Sequence, residues 1–233
     1  MNRSMSVLVP AALLVAGCSD PKAATKANFE AVINAYAEQH PSCFTLPRGD
    51  VADGGAGETQ FPLNVEVTPR VLEFTRQINP GRLEQFEALV SAGLLKMDSR
   101  RLPKPAAFGA SAETAAVHVR SYSLTNEGTA ALEKADERDD AFLGSRAPRL
   151  CFGTPVVDEV VRFTEPADAM GAKVSMVAYT YHLKNVPAWA LVDRMRKAFP
   201  ELESSAAKGQ EATAHLALTN EGWIDARELA ARH

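Results

Sequence analysis

An α+β fold made of two similar copies, each carrying a small antiparallel sheet, is what the sequence predicts, and three observations predict it. Phe29, Val32, Ile33 and Tyr36 stand at the i, i+3, i+4, i+7 spacing that lays one apolar stripe along a helix. Val117, Val119, Ser121 and Ser123 alternate with His118, Arg120, Tyr122 and Leu124, and Val177, Tyr179, Tyr181 and Leu183 alternate with Met176, Ala178, Thr180 and His182, which is the period of strands. Leu124-Thr125-Asn126-Glu127-Gly128 recurs identically as Leu218-Thr219-Asn220-Glu221-Gly222, and Cys43-Phe44 recurs as Cys151-Phe152, both in the same order along the chain. These recurrences imply a duplication.

Taken in order, the apolar stripe predicts a helix from Ala27 to Gln39 that Pro41 stops, and Ser42 to Leu46 a short strand before Pro47. Gly49 to Glu58 has little to bury and is expected as a surface loop. Val71, Leu72, Thr75 and Ile78 suggest a short helix, Asn79-Pro80-Gly81 a turn, and Leu83, Phe86, Leu89 and Val90 a second helix that Gly93 ends. Leu94 to Met97 is expected to be extended, Asp98 to Ala112 a loop, and Thr125 a cap whose hydroxyl takes a free N–H of the helix after it. In the second copy Val156 to Thr164 and Lys173 to Lys184 form strands, Trp189, Val192, Met195 and Phe199 a helical stripe, and Thr219 caps a helix as Thr125 does. The expected division is a leader over 1–17, a tether over 18–26, a first copy over 27–140 and a second over 148–233 with its hairpin at 156–184.

The 233 residues are 46% hydrophobic, enough for a sizeable core. Lys and Arg number 25 against 29 Asp and Glu, a net charge of −4, so no overall positive field recruits nucleic acid or anionic lipid.

Arg3 is the lone charge before the apolar run Val7 to Ala16, a run too short to span a bilayer and laid out as an export signal. Leu14-Val15-Ala16-Gly17-Cys18 resembles the lipobox of bacterial lipoproteins. The resemblance implies cleavage before Cys18 and lipidation of its thiol, hence a membrane partner reached through acylated Cys18. Ser19, not Asp, follows the cysteine, which in that family implies outer-membrane more than inner-membrane sorting, with the body facing the periplasm.

Ala92-Gly93-Leu94-Leu95 followed by Tyr122-Ser123-Leu124-Thr125-Asn126-Glu127-Gly128 resembles the winged-helix domains of bacterial regulators, in which a helix ends in such a phrase, a two-stranded wing comes next and an L-T-x-x-G phrase opens the next helix. The resemblance implies two winged-helix-like repeats. It would place Arg100, Arg101 and Lys104 in a wing and Arg82 beside Glu84 and Glu87 on the helix that enters DNA.

With Cys18 lipidated, Cys43 and Cys151 are left as an even pair in an oxidising compartment. They either form a disulfide between repeat-equivalent positions, near a pseudo-twofold axis, or pack as separate small core residues. His40, His118, His182, His215 and His233 show no metal-ligand spacing, so neither a metal nor a cofactor is expected. No nucleophile elbow or phosphate loop is present, and no catalytic residue is assigned. Tyr179, Tyr181, Trp189 and Trp223 could be core or an aromatic binding face. The function expected is that of a lipid-anchored, non-enzymatic envelope protein that binds another protein or an envelope polymer. Nucleic-acid binding, not expected in an exported acidic protein, and cell-wall hydrolysis are the alternatives.

Overall fold

A computed structural model describes residues 20–50, 60–67, 81–103, 116–132, 147–169 and 171–231. Cys18, the expected helix over Val71 to Ile78, Lys104, His233 and most of the loops expected after Gly49 and Lys104 lie outside them.

Helix α1 (Lys26–Gln39) forms where its stripe predicts, with Thr25 accepting from the Asn28 N–H at 3.2 Å and Phe29, Ile33 and Ala37 buried. It lies against a curled antiparallel sheet of order β1-β5-β7-β8-β9, with the short β6 also paired to β7. These strands are β1 (Ser42–Thr45), β5 (Arg149–Phe163), β6 (Ala167–Ala169), β7 (Ala172–Lys184), β8 (Gln210–Leu218) and β9 (Trp223–Asp225). The 15-residue β5 holds the sheet together: its first part pairs with β1 and the rest with β7. Its register against β7 shifts between Val157 and Glu159 and again between Val160 and Arg162. Each such bulge bends a strand and adds twist, which is the physical source of the curl.

A second sheet, of order β2-β4-β3, is made of β2 (Leu63–Glu66), β3 (Leu95–Pro103) and β4 (Ala116–Leu124). Helices α2 (Arg82–Ser91), α3 (Asn126–Ala131), α4 (Asp193–Ala198) and α5 (Ala226–Ala231) and the 3-10 helices Ala188–Leu191 and Pro200–Ala206 complete the described elements.

Two cores result. One lies between α1 and the large sheet: Phe29, Ile33, Val160, Val177, Leu216 and Trp223 are buried together, with the Phe29 ring edge-on to both Phe163 and Trp223. Burial of a side chain like Phe29 contributes about 2 to 3 kcal/mol. The other joins Phe44, Leu150, Phe152 and Leu183 of the large sheet to Leu63 and Tyr122 of the small one, Phe86 and Leu89 of α2, and Met195 and Phe199 around α4.

This architecture overturns the two winged-helix-like repeats. The class is α+β, but a curled sheet drawn from both halves of the sequence dominates it, and the main core mixes residues expected in separate copies. The loop expected at Asp98 is instead β3, paired in unbroken register with β4 from Leu95–Leu124 to Pro103–Ala116. Trp189 sits in a 3-10 turn over Ala188–Leu191, and Val192 is exposed before α4, so the stripe expected there is not one helix.

The repeated pentapeptide has two structures. In the first, the Thr125 hydroxyl accepts from Gly128 N–H at 3.0 Å and donates to the Gly93 carbonyl at 2.6 Å, capping α3 and tying it to the end of α2. In the second, Thr219 caps no helix. Its N–H and its hydroxyl both donate to the Gly222 carbonyl, at 2.8 and 2.7 Å, closing the β8–β9 hairpin in which Leu218 pairs with Trp223. The residues after the pentapeptide decide between the two: Thr129-Ala130-Ala131 continues a helix, whereas Trp223-Ile224-Asp225 pairs as a strand.

Thr125→Ala is therefore expected to cost about 1 to 2 kcal/mol and Thr125→Ser much less, because serine keeps both hydrogen bonds. Equal losses for the two variants in urea unfolding would show that packing of the threonine methyl matters instead.

Cys43 and Cys151 are directly opposed across the β1–β5 ladder and form a disulfide, with Cα atoms 3.9 Å apart. The pair is brought together by strand pairing, not by the pseudo-twofold axis expected from repeats.

Candidate functional site: a basic cleft beside the small sheet

Antiparallel register sets Met97 opposite Tyr122 and Ser99 opposite Arg120, so Met97 and Tyr122 share one face of the small sheet with Arg120. On that face α2 presents Glu87, Val90 and Ser91, and α4 presents Arg194. Together they line an open cleft of about 340 Å³.

Charge within the cleft is shared unequally. Arg194 donates to Glu87 Oε2 at 3.0 Å and to the Ser91 hydroxyl at 2.9 Å, while Arg120 Nη1 stands 3.6 Å from Glu87 Oε1. Two guanidinium groups thus share one carboxylate, which among the described lining residues leaves one positive charge in excess beside the apolar surfaces of Val90 and the half-exposed Met97. The Tyr122 ring stacks on Phe86 at 4.3 Å, and burial raises its hydroxyl pKa against the opposing pull of a hydrogen bond and the charge of Arg120. The phenol stays protonated. An arrangement of this kind suits recognition of an anionic group carried on an apolar one, with arginine donors for the former and a shallow apolar wall for the latter.

A smaller pocket of about 100 Å³ opens between α1, β5, β7 and α5, lined by Tyr36, His40, Tyr179 and Arg227 among apolar neighbours. Asp225, almost fully buried, accepts from Arg227 Nε at 2.8 Å and from Nη2 at 2.7 Å, and the guanidinium lies over the Tyr36 ring at 3.9 Å, with Tyr36 in turn stacked on His40. The hydrogen bond to Asp225 raises the Arg227 pKa further, and burial raises those of Tyr36 and Tyr179. This ladder of stacked groups pins α5 to α1.

Of the residues singled out from sequence, Glu87 lines the cleft and His40 and Tyr179 line the small pocket, while those that follow lie elsewhere or at its edge. Cys43 and Cys151 staple β1 to β5, Thr125 locks α3, Thr219 closes a hairpin and Cys18 is outside the described residues. Tyr179 and Tyr181 share a sheet face, their rings 6.0 Å apart, and Tyr179 edges the small pocket; Trp189 and Trp223 are buried in the two cores. Trp223 opens β9, not a helix. His118 and His215 are exposed on their strands, whereas His182 pairs with Asp158 at 2.6 Å on the outer side of the large sheet. Among the described residues no group of three or more His, Cys, Asp or Glu is placed to hold a metal ion, and no helix is long and apolar enough to cross a membrane.

Arg82, which the winged-helix resemblance would set on a DNA-entering helix, is instead held inside the fold. Its side chain is buried and pairs with Asp50 at 2.6 Å, and Arg100 lies in regular β3, 3.6 Å from Asp98. Sequence reasoning missed Arg120 and Arg194; the one local signal was Arg120-Ser121-Tyr122, a cation and a ring on the same face of a predicted strand.

Comparisons with protein-family models, with curated protein sequences and with solved structures return no match to this chain.

Proposed function

We propose that the chain is a lipid-anchored protein of the bacterial envelope, held through acylated Cys18, facing the periplasm and sorted to the outer more than the inner membrane, and that it works by binding an envelope protein or polymer at the cleft between α2, α4 and the small sheet. The observation that supports the compartment is the Cys43–Cys151 bond, which closes a span of 108 residues and is of a kind found chiefly where thiols are oxidised. Arg120 and Arg194, with Met97 and Tyr122 beside them, support recognition as the activity.

Metabolic labelling with a clickable fatty acid tests the anchor. Wild type is expected to take label and Cys18→Ala to take none; label on the variant, or none on wild type, overturns the anchored reading. A photo-cross-linking residue at Met97 is expected to give a discrete adduct in intact envelopes that Arg194→Glu weakens about tenfold, since reversing a rim charge acts on encounter and register. An adduct indifferent to that reversal would remove the cleft as the binding site.

A further inference from the structure

Asp20 is the first described residue of the segment that leads into the body. Composition suggests a polar tether over 18–26, yet Asp20 to Thr25 is folded onto the protein. The Ala23 N–H donates to the Asp20 carbonyl at 3.0 Å, and the Lys22 N–H to Asp20 Oδ1 at 2.9 Å. The Asn28 side-chain amide, in the first turn of α1, donates to the carbonyls of both Asp20 and Ala23 at 2.8 Å.

The far end of the chain closes the clamp. Trp223 Nε1 donates to the Lys22 carbonyl at 3.1 Å, and Gly222 packs so closely on Pro21 that a Cβ there would stand 3.2 Å from the Pro21 carbonyl oxygen. Trp223 is itself fixed in the core against Phe29. Through one indole the entering segment is therefore held to both ends of the folded chain.

From Asp20 the chain reaches Cys18 in two residues, which fully extended span about 7 Å. Acyl chains on Cys18 sit in the hydrocarbon, so Asp20 lies at the headgroups or just above them.

We propose that the corner formed by Pro21, Lys22, Asn220, Glu221 and Lys173 is a bilayer-docking surface, resting on phospholipid headgroups so that the body stands on the membrane in one orientation. All five residues are exposed, and Lys173 belongs to the same corner because it pairs with Leu218 at the start of the β8–β9 turn. Lys22 and Lys173 supply ammonium groups for lipid phosphate. The inference rests on the anchored reading and adds to it a fixed face. The binding cleft is built from other elements around the other core, so its position relative to the membrane is set by this corner and not by a flexible leash.

The experiment uses full-length acylated protein purified from bacterial membranes and placed in vesicles of phosphatidylethanolamine and phosphatidylglycerol, with a photo-cross-linking residue at Glu221 or, separately, at Ser99 of β3. Lipid adducts are expected at Glu221 and not at Ser99. Inserting about twelve glycine and serine residues after Ser19, an r.m.s. reach of about 20 Å, is expected to cut the Glu221 adduct about fivefold or more while fatty-acid label on Cys18 is unchanged. Acylated protein that gives no lipid adduct at Glu221, equal adducts at both sites, or an adduct insensitive to the spacer overturns the docking surface and leaves the anchor standing. Protein that carries no acyl group overturns both.

Discussion

Replacing Cys43 or Cys151 by serine is expected to lower the free energy of unfolding by about 4 kcal/mol, the largest effect of any single exchange outside the buried core, with the double variant no worse than either single. The chain-entropy argument gives this size because the bond closes a long loop in the unfolded state, and the native cost is small because both cysteines are only half-buried and serine fits a strand. Non-additivity is the diagnostic: once one sulfur is gone the other has nothing to bond. In unreduced, denatured wild type no thiol of this pair should alkylate. Additive losses, or two alkylatable thiols, would mean that each cysteine stabilises its own strand and the cross-link does not form.

That bond also shows where the sequence was legible and where it was not. Helix α1 was readable because its stripe and proline stop are both local. Strands β4 and β7 were readable because one period-2 pattern suffices to place them. The pairing of β1 with β5 is not local; two Cys-Phe phrases carry no mark that says they face each other across a ladder, and duplication was the simpler inference. The stretch of β3 beyond Met97 was missed for another reason. Six successive residues, Lys96 to Arg101, are exposed, so no burial alternation is written into an edge strand with so little to bury. The repeated pentapeptide is the clearest case, since identical words cap a helix at Thr125 and close a hairpin at Thr219; the local words permit both and the next three residues choose.

The candidate cleft was less legible than the fold. Glu87, Arg120 and Arg194 come from α2, β4 and α4, and only tertiary packing makes one carboxylate serve two guanidinium groups. A lone charged residue on a predicted strand or helix is ordinarily a solvated surface residue, so each of the three is unremarkable until the others are placed beside it. The docked leader segment was hidden in the same way, because Asp20 to Thr25 has the composition of a linker and its partners, Asn28 and Trp223, lie in elements that the sequence assigns to unrelated jobs.

Gly128→Ala is expected to destabilise the protein by about 3 kcal/mol or more, in the range reserved for overpacking against atoms that cannot yield. The glycine sits just after the Thr125 cap on the first turn of α3 and is pressed onto the end of α2: a Cβ would sit 2.1 Å from the Leu94 carbonyl oxygen and 3.0 Å from both the Leu94 carbonyl carbon and Leu124 Cδ2. The Leu94 oxygen is not free to retreat, since it accepts the Thr125 N–H at 3.1 Å and lies 3.2 Å from the Thr125 hydroxyl. Making room for one methyl group therefore means breaking the latch between the Gly93-Leu94 turn and the capped helix, with loss of the Leu94 and Leu95 packing that this turn leads into. Gly171 provides the comparison. Its φ of +82° disfavours a side chain but nothing lies within 4 Å of its Cβ position, so Gly171→Ala should cost about 1 kcal/mol from backbone strain alone. Urea unfolding of the two variants separates contact from conformation: a Gly128→Ala loss no greater than that of Gly171→Ala would show that α3 and the end of α2 are not latched at this glycine, and the Thr125 hydrogen bonds would then have to hold the joint by themselves.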